Sequence, residues 1–171
     1  MSISFQHIYR SSCVADWMTQ DFQGFQLDSR HVTAGQIFIA LTSFSQPEKT
    51  VQFAEAALAR GALAIIAETD LGLPNQLIVP EVRHLMGQWQ KQYLHATQPL
   101  QATRILAVTG TNGKTTIARL MAELLMLQRK PCAVMGTTGN GILPNLEASS
   151  HTTLDALQLQ QALYSYAQQG A

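Results

Sequence analysis

The 171-residue sequence has little charge, few cysteines and no long apolar run, and each shortage excludes a class of protein. Eleven basic and eleven acidic residues give a formal net charge of zero, so the chain lacks the positive field that draws proteins to nucleic acid. Its apolar stretches break off well before the ~18 residues that a membrane span needs. We therefore expect a cytoplasmic protein with no nucleic-acid partner and no membrane insertion.

The two cysteines carry no recognisable metal or redox motif. Cys13 and Cys132 form no CxxC pair and lie among apolar residues, which favours buried free thiols over a disulfide or a metal site, although both alternatives stay open. Hydrophobic residues make up 46% of the chain, enough for a globular core. The length lies at the border between one domain and two small ones.

The first hundred residues alternate between strand and helix patterns, which predicts an α/β fold. GQIFIAL (35–41), LAIIA (63–67) and NQLIV (75–79) are short apolar runs typical of buried strands. TVQFAEAALARGA predicts a helix with Val51, Ala54 and Leu58 on one face and Phe53 and Ala57 beside them, ending at Gly61. A second helix follows Pro80, with apolar residues at helical spacing from Val82 to Tyr93.

The polar segment 95–104 indicates a domain boundary, with a first domain over 1–98 and a second over 99–171. In the second, ILAVT (105–109) and CAVMG (132–136) predict parallel strands on either side of a helix over 114–128, whose apolar face holds Ile117, Leu120, Met121 and Leu124. GNGILPNLEASS is predicted to be an exposed loop. A last helix follows, with Thr152 and Asp155 at capping-box spacing and Gly170 as its stop.

TGTNGKTT (109–116) has the composition of a phosphate-binding loop. A turn between a strand and a helix directs backbone N–H groups and the positive end of the helix dipole at one point, and Gly110 and Gly113 allow close approach of an anion. Lys114 adds a cation, and Thr115 offers a hydroxyl to Mg²⁺. The first glycine of the usual pattern is replaced by Val108. The alternative is a plain strand-to-helix turn in which a threonine caps the helix.

Three further stretches extend the pattern. TGTNGKTT is typical of the Mur ligase family, whose members join amino acids to a carboxylate at the expense of ATP. LDSRHVTAGQIFIAL (27–41) and GALAIIAE (61–68) resemble the N-terminal domain of these ligases. VMGTTGNG (134–141), followed by HTTLDALQLQ (151–160), resembles the members that add the third residue of the peptide. The resemblance covers about residues 25 to 170.

The resemblance implies a role for each matching residue. Those implied to bind ATP are Gly110, Thr111, Asn112, Gly113, Lys114, Thr115 and Thr116, with Lys114 catalytic and Thr115 the Mg²⁺ ligand. Those implied to bind the UDP-linked substrate are Leu27, Ser29, Arg30, Ser45, Gln46, Thr152 and Thr153. The family often has His-Gln-x-Asp-Gly where this chain has Phe44 to Glu48, and Asn where it has His151. Each role has a plainer alternative: Ser29 could cap a turn, Arg30 could pair with Asp28 on the surface, and Thr152 or Thr153 could cap a helix.

By this resemblance the first domain binds the UDP substrate, and residues 99–171 begin a central P-loop ATPase-type parallel-sheet domain. The implied reaction adds meso-diaminopimelate or L-lysine to UDP-N-acetylmuramoyl-L-alanyl-D-glutamate in peptidoglycan precursor synthesis. The ligase that adds D-alanyl-D-alanine, or a non-catalytic nucleotide-binding module, is the alternative. In this family further magnesium ligands and a closing domain follow the point matched by Ala171. We therefore expect an N-terminal portion that is inactive alone, from a ligase that is monomeric at full length.

Overall fold

The computed structural model describes residues 3–11, 15–43, 45–98, 103–148 and 154–171. The chain divides into two compact units, Met1–Pro99 and Leu100–Ala171. Both contain helices and strands, as expected of an α/β protein. Within the described ranges, no helix has both the length and the apolar composition needed to cross a bilayer.

The first unit contains a four-stranded parallel sheet whose strand order follows the chain order. Its strands are β1 (Phe25–Gln26), β2 (Ile37–Ala40), β3 (Ala64–Ala67) and β4 (Gln76–Ile78). Strands β2 and β3 are buried throughout, which confirms the strands predicted from their apolar runs. Strand β1 was not predicted, because two residues are too short to show a periodicity.

Two helices flank these strands in the sequence, α1 (Pro47–Ala59) and α2 (Val82–Thr97). Helix α1 buries Thr50, Ala54 and Ala57, whereas Phe53 is 52% exposed, so the predicted face is displaced by about one residue. The displacement follows from size: alanines let the helix lie close to Phe38 and Ile65 of the sheet, where they form one core cluster. Gly61 has φ 92°, which confirms the predicted helix stop.

Aromatic rings fill the remaining core of the first unit. Phe5 lies at the centre, with its ring centroid 5.6 Å from that of Trp17 and 5.3 Å from that of Trp89 on α2. Phe22 and Tyr93 extend the cluster with a centroid distance of 4.9 Å. Each such ring buries a large apolar area, so the N-terminal segment is held by rings rather than by regular structure.

The second unit is built from α3 (Lys114–Leu127), β5 (Ala133–Gly136), β6 (Gly139–Ile142) and α4 (Ala156–Gln168). The helices confirm those predicted from apolar spacing. Strands β5 and β6 form an antiparallel hairpin, with Ala133 opposite Ile142. Strand β6 occupies the segment predicted to be a loop, and that prediction was wrong because its glycines conceal the strand pattern. At Gly139 a Cβ atom would lie 2.6 Å from the Glu147 carbonyl oxygen.

The parallel pairing predicted between residues 105–109 and 132–136 is not formed in the described part of the chain. Residues 103–109 have no strand assignment, and Ile105 and Leu106 are 66% and 63% exposed. A strand needs hydrogen-bonded neighbours, and β5 takes β6 as its partner instead. The second unit therefore does not show the predicted βαβ sheet among its described residues.

The apolar face predicted for α3 is also exposed. Ile117, Leu120 and Leu124 are 49%, 54% and 53% exposed, whereas Ala122 is 1% exposed and packs with Val134 and Leu143. These three residues share one face of α3, as their spacing predicts, and the described residues leave that face uncovered.

Helix α4 has clear ends. Asp155 is its N-cap, accepting hydrogen bonds from the backbone N–H groups of Leu157 and Gln158 at 2.9 and 2.8 Å. Thr152, the other half of the predicted capping box, lies outside the described residues. Gly170, with φ 92°, follows the last turn, which confirms it as the stop.

Candidate functional site

The carboxyl ends of the parallel strands place three chain segments at one edge of the first unit's sheet. Strand β1 leads into the segment Leu27–His31, β2 into the residues from Leu41 to Gln46, and β3 into Glu68. Ligands of open parallel sheets bind outside this edge. The predicted substrate residues of the first unit, Leu27, Ser29, Arg30, Ser45 and Gln46, all lie in these segments.

A tight turn follows β1. The Leu27 and Asp28 N–H groups donate to Gln26 Oε1 at 2.9 and 3.1 Å, and the Arg30 N–H donates to Asp28 Oδ1 at 2.9 Å. These bonds close a short 3₁₀ helix, Ser29–His31. Ser29 is 7% exposed, so it lies at the base of the turn rather than on its surface.

Arg30 and Asp28 form a bidentate pair. The guanidinium donates from Nε at 3.0 Å to Oδ1 and from Nη2 at 2.7 Å to Oδ2. Hydrogen bonds from the Arg30 side chain, and then from its backbone N–H, hold the pKa of Asp28 well below its usual range. The structure thus has the surface pairing that was the plainer alternative for Arg30, whose side chain is 80% exposed.

The segment after β2 is held by a second ion pair that sequence analysis missed. Glu68 accepts from the Thr42 N–H at 2.7 Å and from Arg83 Nε at 2.6 Å, and Arg83 Nη2 donates to the Thr42 carbonyl oxygen at 2.9 Å. Further along, the hydroxyls of Ser43 and Ser45 lie 3.3 Å apart. Because 26 and 41 positions separate Thr42 from its partners, no local pattern could have indicated the pair.

In the second unit, the loop before α3 has the backbone that close approach of an anion requires. Gly110 and Gly113 have φ values of 149° and 77°, and Gly113 is the N-cap of the 14-residue helix that begins at Lys114. The loop is exposed from Gly110 to Thr116. The first N–H groups of the helix and its positive dipole end thus face solvent, as in an anion-binding helix start.

Lys114 is folded back on this loop. Its Nζ donates to the Gly110 carbonyl oxygen at 2.5 Å and to the Thr111 carbonyl oxygen at 3.3 Å. The ammonium group therefore stands at the mouth of the loop, within side-chain reach of an anion bound to the helix N-terminus. This geometry fits a phosphate group better than it fits a purely structural turn, which has no need of an exposed cation at this point.

Thr115 points toward the end of β5. Its hydroxyl lies 3.1 Å from that of Thr137, the residue directly after the strand. A pair of exposed hydroxyls beside an anion-binding loop suits a hard cation such as Mg²⁺, which takes oxygen ligands. Thr137 is the residue that sequence analysis missed here, although the GTTGNG stretch contained it.

The remaining predicted substrate residues, Thr152 and Thr153, lie outside the described residues. What the structure does describe is the start of the helix that follows them. Two of the free N–H groups at that start are already bound by the Asp155 carboxylate. The start of α4 is thus less available to a second carboxylate than the sequence suggested.

Comparison with known proteins agrees with both units. Residues 108–171 match the Mur ligase middle domain. The UDP-N-acetylmuramoyl-L-alanyl-D-glutamate--2,6-diaminopimelate ligase of Vibrio cholerae is 38% identical over 152 residues, which cover 85% of this chain and 30% of the ligase. The ligase of the same name from Haemophilus influenzae is 36% identical over 156 residues, covering 85% of this chain and 31% of its own length.

Solved structures extend the match to the whole chain. A structure of UDP-N-acetylmuramoyl-L-alanyl-D-glutamate--2,6-diaminopimelate ligase has 63% sequence identity and a TM-score of 0.94, covering 100% of this chain and 34% of that one. MurF from Acinetobacter baumannii, at 22% identity and a TM-score of 0.52 over 85% of this chain and 28% of its own, shares the fold alone. The chain is thus similar to Mur ligases along its whole length, and residues 108–171 match the middle domain of that family. It spans about a third of the length of the relatives that it matches.

Proposed function

We propose that this chain is the N-terminal portion of an ATP-dependent ligase that adds meso-diaminopimelate to UDP-N-acetylmuramoyl-L-alanyl-D-glutamate. The observation that carries the proposal is the 63% identity, over the whole chain, with a structure named for that reaction. The names of the curated relatives favour diaminopimelate over L-lysine. Peptide addition to a UDP-linked muramic acid is a step of peptidoglycan precursor synthesis, and we propose that the enzyme carries it out in the cytoplasm, where ATP is available.

In the proposed enzyme the second unit binds ATP through Gly110 to Thr116. Bound ATP supplies the phosphoryl group that activates the substrate carboxylate for attack by an amine. The contribution of this chain is to hold that group in place: the loop N–H groups donate hydrogen bonds to the phosphate oxygens, and Lys114 swings from the Gly110 carbonyl oxygen to neutralise their charge. The exposed position of its ammonium group supports this role.

We assign the Mg²⁺ contact to the Thr115 hydroxyl, with Thr137 holding that hydroxyl in orientation. The 3.1 Å distance between the two oxygens supports the assignment, since a Thr115 hydroxyl that donates to Thr137 keeps both of its own lone pairs for a cation. A metal ion held there would add to Lys114 a second positive charge against the phosphates.

The first unit, over residues 1–98, is proposed to bind the UDP part of the substrate at the carboxyl edge of its sheet. Leu27 and Ser29 offer an apolar wall and a buried hydroxyl, and Ser45 and Gln46 face the same edge from the segment after β2. Arg30 is the cation nearest to this turn, and we propose that it divides its donors between Asp28 and the diphosphate. Thr152 and Thr153 are proposed to contact the peptide part.

The test uses the full-length protein. Phosphate release from ATP is measured with magnesium, with and without UDP-N-acetylmuramoyl-L-alanyl-D-glutamate and meso-diaminopimelate, and the product is identified by mass spectrometry. We expect turnover only with both substrates present, a tripeptide product, and little product with L-lysine. Size-exclusion chromatography should give a monomer.

Two results would replace the proposal. A product formed with D-alanyl-D-alanine on the UDP-tripeptide would indicate the ligase of the next step, for which the likeness to MurF supports the fold alone. Nucleotide binding without any ligation would indicate a non-catalytic module.

A further inference from the structure

The Glu68–Arg83 pair closes on the backbone of one residue, Thr42. Glu68 Oε2 accepts from the Thr42 N–H, and Arg83 Nη2 donates to the Thr42 carbonyl oxygen. The Arg83 guanidinium also binds Glu68 through Nε at 2.6 Å and through Nη2 at 3.2 Å. Both backbone polar groups of Thr42, which belong to two successive peptide units, are therefore tied to the end of β3 and to the first turn of α2.

The pair is built to stay charged although it is partly buried. The Glu68 side chain is 16% exposed and that of Arg83 is 43% exposed. Burial alone would raise the pKa of Glu68, but the hydrogen bonds from Arg83 and from the Thr42 N–H outweigh it and hold that pKa below its usual value. A buried ion pair is weak evidence for stability, since apolar residues of the same size often serve as well. The geometry of the pair around Thr42, and not its contribution to the stability of the fold, therefore indicates its role.

What the pair fixes is the start of the segment after β2. Beyond Thr42, the Ser43 N–H donates to Thr50 Oγ1 at 3.3 Å, and Ser43 and Ser45 share a hydroxyl contact. Thr42 is therefore the point at which the segment is anchored, because both of its backbone polar groups are bound by the ion pair.

We infer that Glu68 and Arg83 are positioning residues for the UDP substrate. They fix the backbone of Thr42 so that Ser45 and Gln46 contact the substrate at the carboxyl edge of the sheet. This inference rests on the proposed function of the first unit. The two residues act through the segment after β2, so their loss removes no side chain that contacts the substrate but lets the segment that carries Ser45 and Gln46 move. The expected consequence is weaker substrate binding with unchanged chemistry.

The test compares Glu68→Gln and Arg83→Lys with wild type in the full-length ligase. Both variants keep side-chain size, but neither can form the bidentate pair. We expect KM for the UDP substrate to rise about tenfold, with kcat and KM for ATP within about twofold of wild type. The double variant should resemble either single variant, because both remove the same pair. Glu123→Gln, which removes the exposed Arg119–Glu123 pair of α3, is the matched control and should change nothing.

Thermal unfolding is recorded for every variant. If KM for the UDP substrate stays at the wild-type value, the pair is only structural and the inference is wrong, whatever happens to the melting temperature. The inference is equally wrong if both KM values rise together. Should Glu68→Gln fail to fold, Arg83→Lys decides, since it keeps the cation. If wild-type enzyme itself shows no dependence on the UDP substrate, it is the proposed function that fails.

Discussion

The two units of this chain use their apolar residues in opposite ways. In the first, strands β2 and β3 and the rings around Phe5 are buried, so the sheet has its apolar surface covered. In the second, Leu127 of α3 is 82% exposed, and Ile105 and Leu106 are exposed on a stretch that has no strand partner among the described residues. The core of the first unit is covered, whereas the second unit has apolar surface that its described residues do not cover.

The two units therefore differ in how firmly their functional segments are supported. A covered sheet can hold a binding edge rigid, as the Glu68–Arg83 pair requires. The second unit carries the phosphate loop on a helix whose core contacts are few: Ala122 is the one residue of α3 that is buried among those described. Exposed apolar residues contribute little to folding unless something covers them.

Lys114→Ala gives the largest expected effect, because it removes the cation of the phosphate loop. In the full-length enzyme, ligation should fall at least about a hundredfold, which corresponds to about 2.7 kcal/mol of lost transition-state stabilisation. Lys114→Arg should not restore it, since a planar guanidinium does not replace a point charge in a tight loop. Steady-state phosphate release measures both, and a variant that retains over a tenth of normal kcat would contradict the role.

Two substitutions, one at a buried residue of the first unit and one at an exposed residue of the second, test the difference between the units. Ile66→Ala, at a side chain that is 0% exposed, should lower the free energy of unfolding by about 2–5 kcal/mol. Leu124→Ala, at 53% exposure, should change it by less than about 0.5 kcal/mol in the 171-residue chain. Urea denaturation followed by circular dichroism measures both. Equal losses would mean that α3 is covered as well as the sheet of the first unit.

Ser29→Ala separates the binding functions of the two units. Loss of one hydrogen bond should weaken binding of the UDP substrate by about 1 kcal/mol, or about fivefold in Kd, with ATP binding unchanged. Calorimetric titration of each ligand into the full-length variant decides. An equal loss for both ligands would instead indicate a folding defect, since Ser29 is buried.

The smallest expected effect is the pH dependence that Glu68 gives to the first unit. Its pKa is lowered on folding, so its contribution is complete above the unfolded value of about 4.3 and is lost as pH falls through the folded value. The contribution should be about 1 kcal/mol or less. Melting temperatures between pH 7 and 3 should fall less steeply for Glu68→Gln than for wild type, and parallel curves would contradict this.

Sequence alone predicted what depends on local pattern. The runs that became β2 and β3 are apolar on both faces, and α2 and α4 carry apolar residues at helical spacing, so both kinds of element were found. The strand predicted over 105–109 is not found among the described residues, because strand pairing is decided by neighbours in space that a local pattern does not show. For the same reason the apolar spacing on α3 predicted the helix but not which of its sides is covered.

The residues of the candidate site also divide into those that a local pattern could predict and those that only the fold brings together. The loop from Gly110 to Thr116 is continuous in sequence, so its residues could be predicted together, and the structure gives it suitable glycine conformations. The sequence left open whether Arg30 contacts the substrate or pairs with Asp28 on the surface, because both arrangements fit the same residues. Glu68 and Arg83 carry no motif, and only the fold brings them to Thr42. Thr137 likewise reaches Thr115 across 22 positions.

The chain-order arrangement of the sheet in the first unit has a consequence for folding during synthesis. Paired residues are 12 positions apart between Phe25 and Ile37, 27 between Ile37 and Ala64, and 11 between Ile65 and Gln76. Each strand can therefore add to the preceding one as it leaves the ribosome, with short loops to close. The aromatic rings must wait for α2, because the contact of Phe5 with Trp89 spans 84 positions and that of Phe22 with Tyr93 spans 71. The aromatic cluster is thus expected to be the last part of the first unit to form.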